Sequence, residues 1–397
     1  MPEPTKHSVV THFSTPINHS EVQQWASKQR LNLPGPVSFA LVFCSVECVD
    51  AMQELMEIIR IDGQVVNVIG CTGSALIANQ NEIENDSGVS VALYHLPATT
   101  VHARHLPSEC FQPDESYRAI EQQLGPECSA VNSWLLFASP ESIGHEDWLK
   151  AWDQATGGRV TLGGFASATL DSPKTTLFYN GQSTHDGAVA LGFEGEVELE
   201  PITSNGCRPI GHPWVVTQAE RNIIHEIGNR PILEVLRDTL EGMSQQEQKQ
   251  AHGNVFIGLV MNEYKQNFRN GDFLVRNLAA IDPETGSVAI ATPLRVGQNL
   301  QFQIRDPRVA EADFSQQLED LRRRIGKCEI LGACLCDCIG RGTSLYGVPN
   351  HDVEIIQGAL PQLPIAGVFC NGEFGQVDGR TRLHGYAASL GLFVKRC

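Results

Sequence analysis

Short apolar runs that break into glycine recur along this chain, and they restrict it to a strand-built fold. Residues 65–69 run into Gly70-Cys-Thr-Gly-Ser74, residues 364–370 into Asn371-Gly-Glu-Phe-Gly375, and Leu162-Gly-Gly-Phe-Ala-Ser167 repeats the habit. Each run is too short and too rich in β-branched and aromatic residues for a core helix. A glycine turn lets the backbone approach another group closely. The richest example is Gly332-Ala-Cys-Leu-Cys-Asp-Cys-Ile-Gly-Arg-Gly-Thr-Ser-Leu-Tyr-Gly347, where Asp337 is the one charged residue of the strand and Arg341 stands between Gly340 and Gly342. A thiol, a cation and bare amides at one strand exit form a surface able to hold a small anionic group.

A chain of 397 residues exceeds one ordinary core, so two domains are expected. With 42% hydrophobic and 19% charged residues it has the balance of a folded protein. A net charge of −17 disfavours nucleic acid and anionic membrane as partners, because both need a basic face. Nothing at the start reads as a signal peptide, and no run approaches the roughly 20 apolar residues of a membrane helix. The twelve cysteines are spread through a long acidic chain and mostly sit inside apolar strands, which predicts reduced, buried thiols and a cytoplasmic location.

Residues 1–30 read as a lead-in with a short helix after Ser20. Strand 37–44, helix 49–59 and strand 65–69 make a β-α-β beginning, followed by strands at 89–96 and 101–106. Helices are expected at 114–124 and 145–154 around a strand at 134–138. Residues 175–179 and 188–193 read as a hairpin around Asn180-Gly181. After the crossing at Gly206-Cys-Arg-Pro-Ile-Gly211 come a helix at 231–240 and a polar segment at 244–252. Strands then dominate, with a hairpin loop at Asp282-Pro-Glu-Thr-Gly286, an amphipathic helix at 310–327 and a helix at 351–357. The fold class is α/β (α+β), two domains at 31–220 and 221–397, each a mixed, largely antiparallel sheet covered by helices. No repeat of fixed period stands out.

The order of these turns resembles the FIST family, whose members carry paired FIST-N and FIST-C domains. In the first half the resemblance rests on Val68-Ile-Gly-Cys-Thr-Gly73, Gly163-Gly-Phe-Ala166, Phe178-Tyr-Asn-Gly181 and Asp186-Gly-Ala-Val189. The crossing 206–211, Val216-Thr217 and Asn222 continue it. Phe273-Leu-Val-Arg276, Cys338-Ile-Gly-Arg-Gly342, Gly367-Val-Phe-Cys-Asn-Gly-Glu373 and Leu383-His-Gly-Tyr386 complete it. The resemblance implies an intracellular sensory or signal-transduction module that binds a small ligand such as an amino acid or related metabolite. Relatives stand beside signalling domains or an F-box; this chain reads as freestanding, so its output is expected to pass to a separate signalling protein.

The residues are compatible with that. Arg341 can pair with a carboxylate, aided by the amides of Gly340 and Gly342, and Glu373 on the Asn371-Gly372 turn can take an ammonium group. The other reading of both is that they pair with each other or with carbonyls and lock two turns together. Cys338 completes one wall of the expected pocket, and Gly70 and Cys71 are expected to line the same cleft near the domain interface. Cys338 beside Arg341 also admits a cysteine-dependent hydrolase or acyltransferase, with His351 or His384 as base, and a protein-interaction scaffold is a third reading. Cys334, Cys336 and Cys338 share a strand face, but C-x-C is not the zinc knuckle spacing. Neither a metal nor a cofactor is expected, and no phosphate loop or dinucleotide fingerprint occurs.

Overall fold

The computed structural model describes residues 6–112, 116–143, 146–169, 171–265 and 267–397. The starts expected for helices at Asp114 and His145 lie outside these residues. The chain forms two compact units, one of Met1–Thr203, Phe314–Leu383 and Ala387–Cys397, the other of Ser204–Asp313 and His384–Tyr386. The larger unit draws on both expected domain segments.

Three successive stretches of chain build the larger unit in the same way. The first contains β1 (Ser8–Ser14), α1 (His19–Asn32), β2 (Phe39–Cys44), α2 (Met52–Asp62), β3 (Asn67–Thr72), β4 (Leu76–Ala78), β5 (Asn81–Ile83) and β6 (Gly88–Tyr94). The second contains β7 (Thr99–Leu106), α3 (Ser116–Leu124), β8 (Ser133–Ala138), α4 (Trp148–Thr156), β9 (Val160–Phe165), β10 (Leu177–Tyr179), β11 (Gln182–Thr184) and β12 (Ala188–Gly195). The third contains β13 (Val197–Asn205), α5 (Pro307–Ile325), β14 (Ile330–Cys338), α6 (Gly342–Tyr346), α7 (His351–Ala359), β15 (Ile365–Cys370), β16 (Glu373–Val377), β17 (Arg380–His384) and β18 (Ala387–Lys395). The smaller unit is an insertion in this third stretch.

The three sheets have one strand order. They run β1-β6-β2-β3-β10-β11, β7-β12-β8-β9-β16-β17 and β13-β18-β14-β15-β4-β5. Each has a central parallel pair joined through helix, the kind of crossover that parallel neighbours need. The short hairpin that follows each pair leaves its own sheet and completes another. Stretch one supplies β4–β5 to the third sheet, stretch two β10–β11 to the first, and stretch three β16–β17 to the second.

Register makes the correspondence residue by residue. Gly70 lies opposite Val42, Gly163 opposite Leu136 and Gly367 opposite Leu335 across the three parallel pairs. At each of the three glycines a Cβ would overlap the carbonyl oxygen of that partner. Tyr94, Phe193 and Phe393 also correspond, opposite Phe39, Ser133 and Gly332 in their antiparallel pairs. Phe39 stacks on Tyr94 at 4.5 Å and meets both other rings edgewise or tilted, at 5.5 and 5.4 Å. One apolar core holds Leu41, Phe137, Leu162, Cys334 and Cys336 from all three stretches.

Several expectations are corrected here. The chain does carry a repeat, hidden because helix lengths differ and an insertion of about 110 residues, Ser204–Asp313, splits the third copy. The lead-in contains edge strand β1, whose polar side chains gave no apolar alternation. Asn180-Gly181 does turn a hairpin, but its second arm is β11, and Ala188–Gly195 pairs in a different sheet. Cys328 and Cys397 form a disulfide; the other ten cysteines are buried thiols, seven of them in strands and Cys48, Cys110 and Cys128 in short 3-10 turns.

In the smaller unit the strand Asn299–Arg305 pairs with Trp214–Glu220 along one edge and Val255–Val260 along the other. With Ile223–Ile227, Ser287–Ile290 and Phe273–Asp282 it closes a ring of antiparallel strands. Val216, Ile257, Val288, Leu300 and Phe302 fill it, joined by Ile232, Val235 and Leu236 of helix Ile232–Glu241. The Asp282–Gly286 hairpin loop forms where the sequence placed it.

Candidate functional site

The parallel pairing of β14 with β15 sets Cys338 opposite Cys370, so both strands exit at one level. The Ile339 amide donates to the Cys370 carbonyl at 3.1 Å. The two turns read from the sequence, 338–342 and 371–373, are therefore neighbours within the larger unit. Gly340 donates its amide to Cys338 Sγ at 3.4 Å, and Glu373 Oε2 accepts from the Ala387 amide at 3.2 Å.

Correspondence among the three stretches shows what is particular here. Asp337 occupies the register position of Cys44 and Ala138, and Cys338 that of Ser45 and Ser139. Glu373 lies opposite Gly164, where the equivalent hairpins place Leu76 opposite Val368 and Leu177 opposite Cys71. The exchanged hairpin adds Glu82, which corresponds to Ser183 of the next copy. Among the described residues, only this strand exit replaces small or apolar residues with a group of buried acids.

Arg341 lies at the centre, with none of its side chain exposed. Its Nε donates to Asp352 Oδ2 at 2.8 Å, and its Nη2 to Asp352 Oδ1 at 2.6 Å and to the Tyr346 hydroxyl at 2.7 Å. Asp337 Oδ1 is 3.0 Å from Nε. The Tyr346 hydroxyl donates to Asp352 Oδ1 at 3.0 Å. A guanidinium this deep persists only with such partners, because its desolvation costs several kcal/mol. Asp352 reaches it from the first turn of α7, and Tyr346 from α6.

Acid exceeds base in this group. Glu82, Asp337, Asp352 and Glu373 are all buried, and Arg341 is the cation that the described ion pairs place among them. Burial, reinforced by the Asp352 charge, pushes the Glu82 carboxyl up to about 7. Burial and the same neighbour raise Asp337 well above the usual carboxylate range, with Arg341 offsetting only part of this. Burial works against ionised Asp352 too, but the Arg341 charge and hydrogen bonds hold its carboxyl below the ordinary value. Burial raises Glu373 strongly, against the Ala387 amide and Arg341. In these five residues four buried atoms have no hydrogen-bond donor or acceptor opposite them among the described residues: Glu82 Oε2, Asp337 Oδ2, Arg341 Nη1 and Glu373 Oε1.

Other expected residues are placed as follows. Gly342, at φ +55°, is the close approach the sequence anticipated, and what approaches is the Glu84 carboxylate. Glu84 Oε1 accepts from the Thr343 amide at 3.0 Å and its hydroxyl at 2.7 Å, so the chain's own acid occupies that anion position. Asn371 donates its amide to the Phe165 carbonyl, and Gly372 turns the chain at φ +108°. Gly70 and Cys71 lie inside β3 rather than in the turn after it, both fully buried in packing. Cys338 is 6% exposed. Sequence reasoning missed Glu82, Glu84, Tyr346 and Asp352; only Asp337, an acid in an apolar strand, carried a local signal.

Comparison with known proteins bears on the whole chain. The FIST N domain model matches residues 38–230 and the FIST C domain model residues 233–376. The chain belongs to the FIST family. An uncharacterized protein of Mycobacterium bovis is 34% identical over 331 residues, 82% of this chain and 83% of the relative. One of Mycobacterium tuberculosis is 31% identical over 361 residues, 91% of this chain and 92% of the relative. An F-box/LRR-repeat protein of Arabidopsis thaliana is 36% identical over 86 residues, 21% of this chain and 16% of that protein. FIST domains are generally regarded as sensory and signal-transduction domains. No described helix of this FIST protein is long and apolar enough to cross a membrane. The two FIST segments do not coincide with its two compact units, since the FIST C segment supplies β14–β16 to sheets begun by the FIST N segment.

Proposed function

We propose that this FIST protein is a cytoplasmic sensory module whose ligand is a small amino-acid-like metabolite with a protonated amine, held at the exits of β14 and β15. The observation that carries this is the buried excess of acid at one of three equivalent strand exits, with polar atoms left unpartnered. Glu373 Oε1 would accept from the ligand's ammonium group, and Arg341 Nη1 would donate to its carboxylate. Gly340, Gly342, Cys338, Asn371 and Gly372 would shape the walls. Because Arg341 and Glu373 are shut away from water, entry requires the 340–347 segment to move, which gives binding a conformational consequence. A separate signalling protein would read that movement.

A thermal-shift series with amino acids and simple amines tests this on the wild type and on Glu373→Leu, which installs the residue of the two equivalent positions. A ligand that stabilises wild type and fails to stabilise a folded Glu373→Leu supports the site. Equal stabilisation of both would remove it from this position.

A further inference from the structure

We propose that Glu82, Asp337 and Asp352 form a binding site for one hard divalent cation such as magnesium, manganese or calcium. Each residue brings a carboxylate oxygen, and the three oxygens lie within 4.8 Å of one another. That spread suits ligands about 2.0–2.6 Å from a common ion. Oxygen is also the donor such ions select; the nearby thiols would suit softer metals.

The carboxylates are already oriented as ligands. Glu82 Oε1 accepts from the Val353 amide at 3.0 Å, leaving Oε2 without a partner. Asp337 Oδ1 accepts from the Cys338 amide at 3.2 Å and lies 3.0 Å from Arg341 Nε, leaving Oδ2 without a partner. One oxygen of each is fixed by donors of the protein, and no donor reaches the other, which is buried; Asp337 shares a hydrogen bond with Asp352 only while it holds a proton, which a bound cation would replace. Outer contacts of this kind orient metal ligands. Asp352 Oδ1 accepts from both Arg341 Nη2 and the Tyr346 hydroxyl, while Oδ2 accepts from Arg341 Nε and keeps a lone pair beyond that contact.

Charge argues in the same direction. Three ionised carboxylates against Arg341 leave a net −2, which a divalent ion neutralises without asking buried acids to hold protons. Among the described residues the site also occurs once in the three-fold framework. Cys44 and Ala138 stand at the equivalents of Asp337, and Ser183 at that of Glu82. The inference does not depend on the amine ligand, which would use Glu373 and Arg341 Nη1 instead.

The test uses the intact chain, dialysed against a chelator and titrated calorimetrically with magnesium, manganese or calcium chloride alone. One equivalent of saturable binding is expected, with a rise in Tm at saturation. Affinity should fall at least tenfold in Asp337→Ala and Glu82→Ser, which copy the equivalent positions. The isosteric Asp337→Asn and Glu82→Gln serve if either does not fold. Absence of saturable binding to wild type at millimolar ion would overturn the proposal, and so would unchanged affinity in the folded variants.

Discussion

Arg341 and Asp352 are joined by two parallel hydrogen bonds, 2.8 and 2.6 Å long, with neither side chain exposed to water. Removing one partner of such a pair strands a charge in low dielectric, at a cost of about 3–5 kcal/mol. Asp352→Ala should therefore lower the urea midpoint severely, whereas Glu84→Ala, which loses only contacts at an exposed turn, should cost about 1 kcal/mol. Similar losses from the two variants would mean that Arg341 finds another counter-ion.

The three equivalent glycines make a sharper test of the repeat. A methyl group at Gly70, Gly163 or Gly367 would meet the carbonyl oxygen of Val42, Leu136 or Leu335, all backbone atoms with no rotamer to yield. Each Gly→Ala variant should lose about 3 kcal/mol or fail to fold. Gly163 should suffer most, because its φ of +150° adds backbone strain. Gly358, with open space around its Cβ position, is the control, and Gly358→Ala should be neutral or slightly stabilising. Unequal behaviour, with one of the three freely replaceable, would show that the copies do not share this packing constraint.

What the sequence disclosed follows from how local each signal is. Strands such as Phe39–Cys44 and Ser133–Ala138 are apolar on both faces because both are buried, and such runs are visible without partners. The edge strand β1 and hairpins such as β4–β5 are short or half polar, so nothing local distinguishes them from loops. Arg341 and Glu373 were legible as polar residues on glycine turns. Their surroundings were not, since Glu82 approaches the Val353 amide across 271 residues of chain through an exchanged hairpin. The metal reading of Cys334, Cys336 and Cys338 looked to thiols, while the oxygens that converge belong to Asp337 and two remote acids.

The disulfide between Cys328 and Cys397 closes a loop with a sequence separation of 69. Cross-linking a loop of that size restricts the unfolded chain by about 4 kcal/mol in the entropy model. Oxidised protein should show the pair by non-reducing peptide mapping, and reductant or Cys397→Ser should lower Tm while leaving the ten buried thiols unlabelled in the native state. An unchanged Tm after verified reduction would show that β18 pairing alone holds the end of the chain.

Glu82 gives a pH dependence whose direction can be stated in advance. Its carboxyl is raised from 4.5 to about 7 by burial and by the Asp352 charge. Between those values the folded, chelator-treated protein keeps a proton that the unfolded chain has released. Stability therefore falls as pH rises from about 4.5 to about 7 and no longer changes from this group above that, a total of about 3 kcal/mol. Asp337 and Glu373, also raised, act with the same sign and extend the fall to higher pH. Asp352 acts oppositely, because its lowered value gives stability that is lost only on acidification. Urea unfolding at pH 5 and pH 7.5 should show a smaller loss for Glu82→Gln than for wild type. Identical losses would mean that Glu82 is ionised throughout this range, and that another group carries the proton in the folded state.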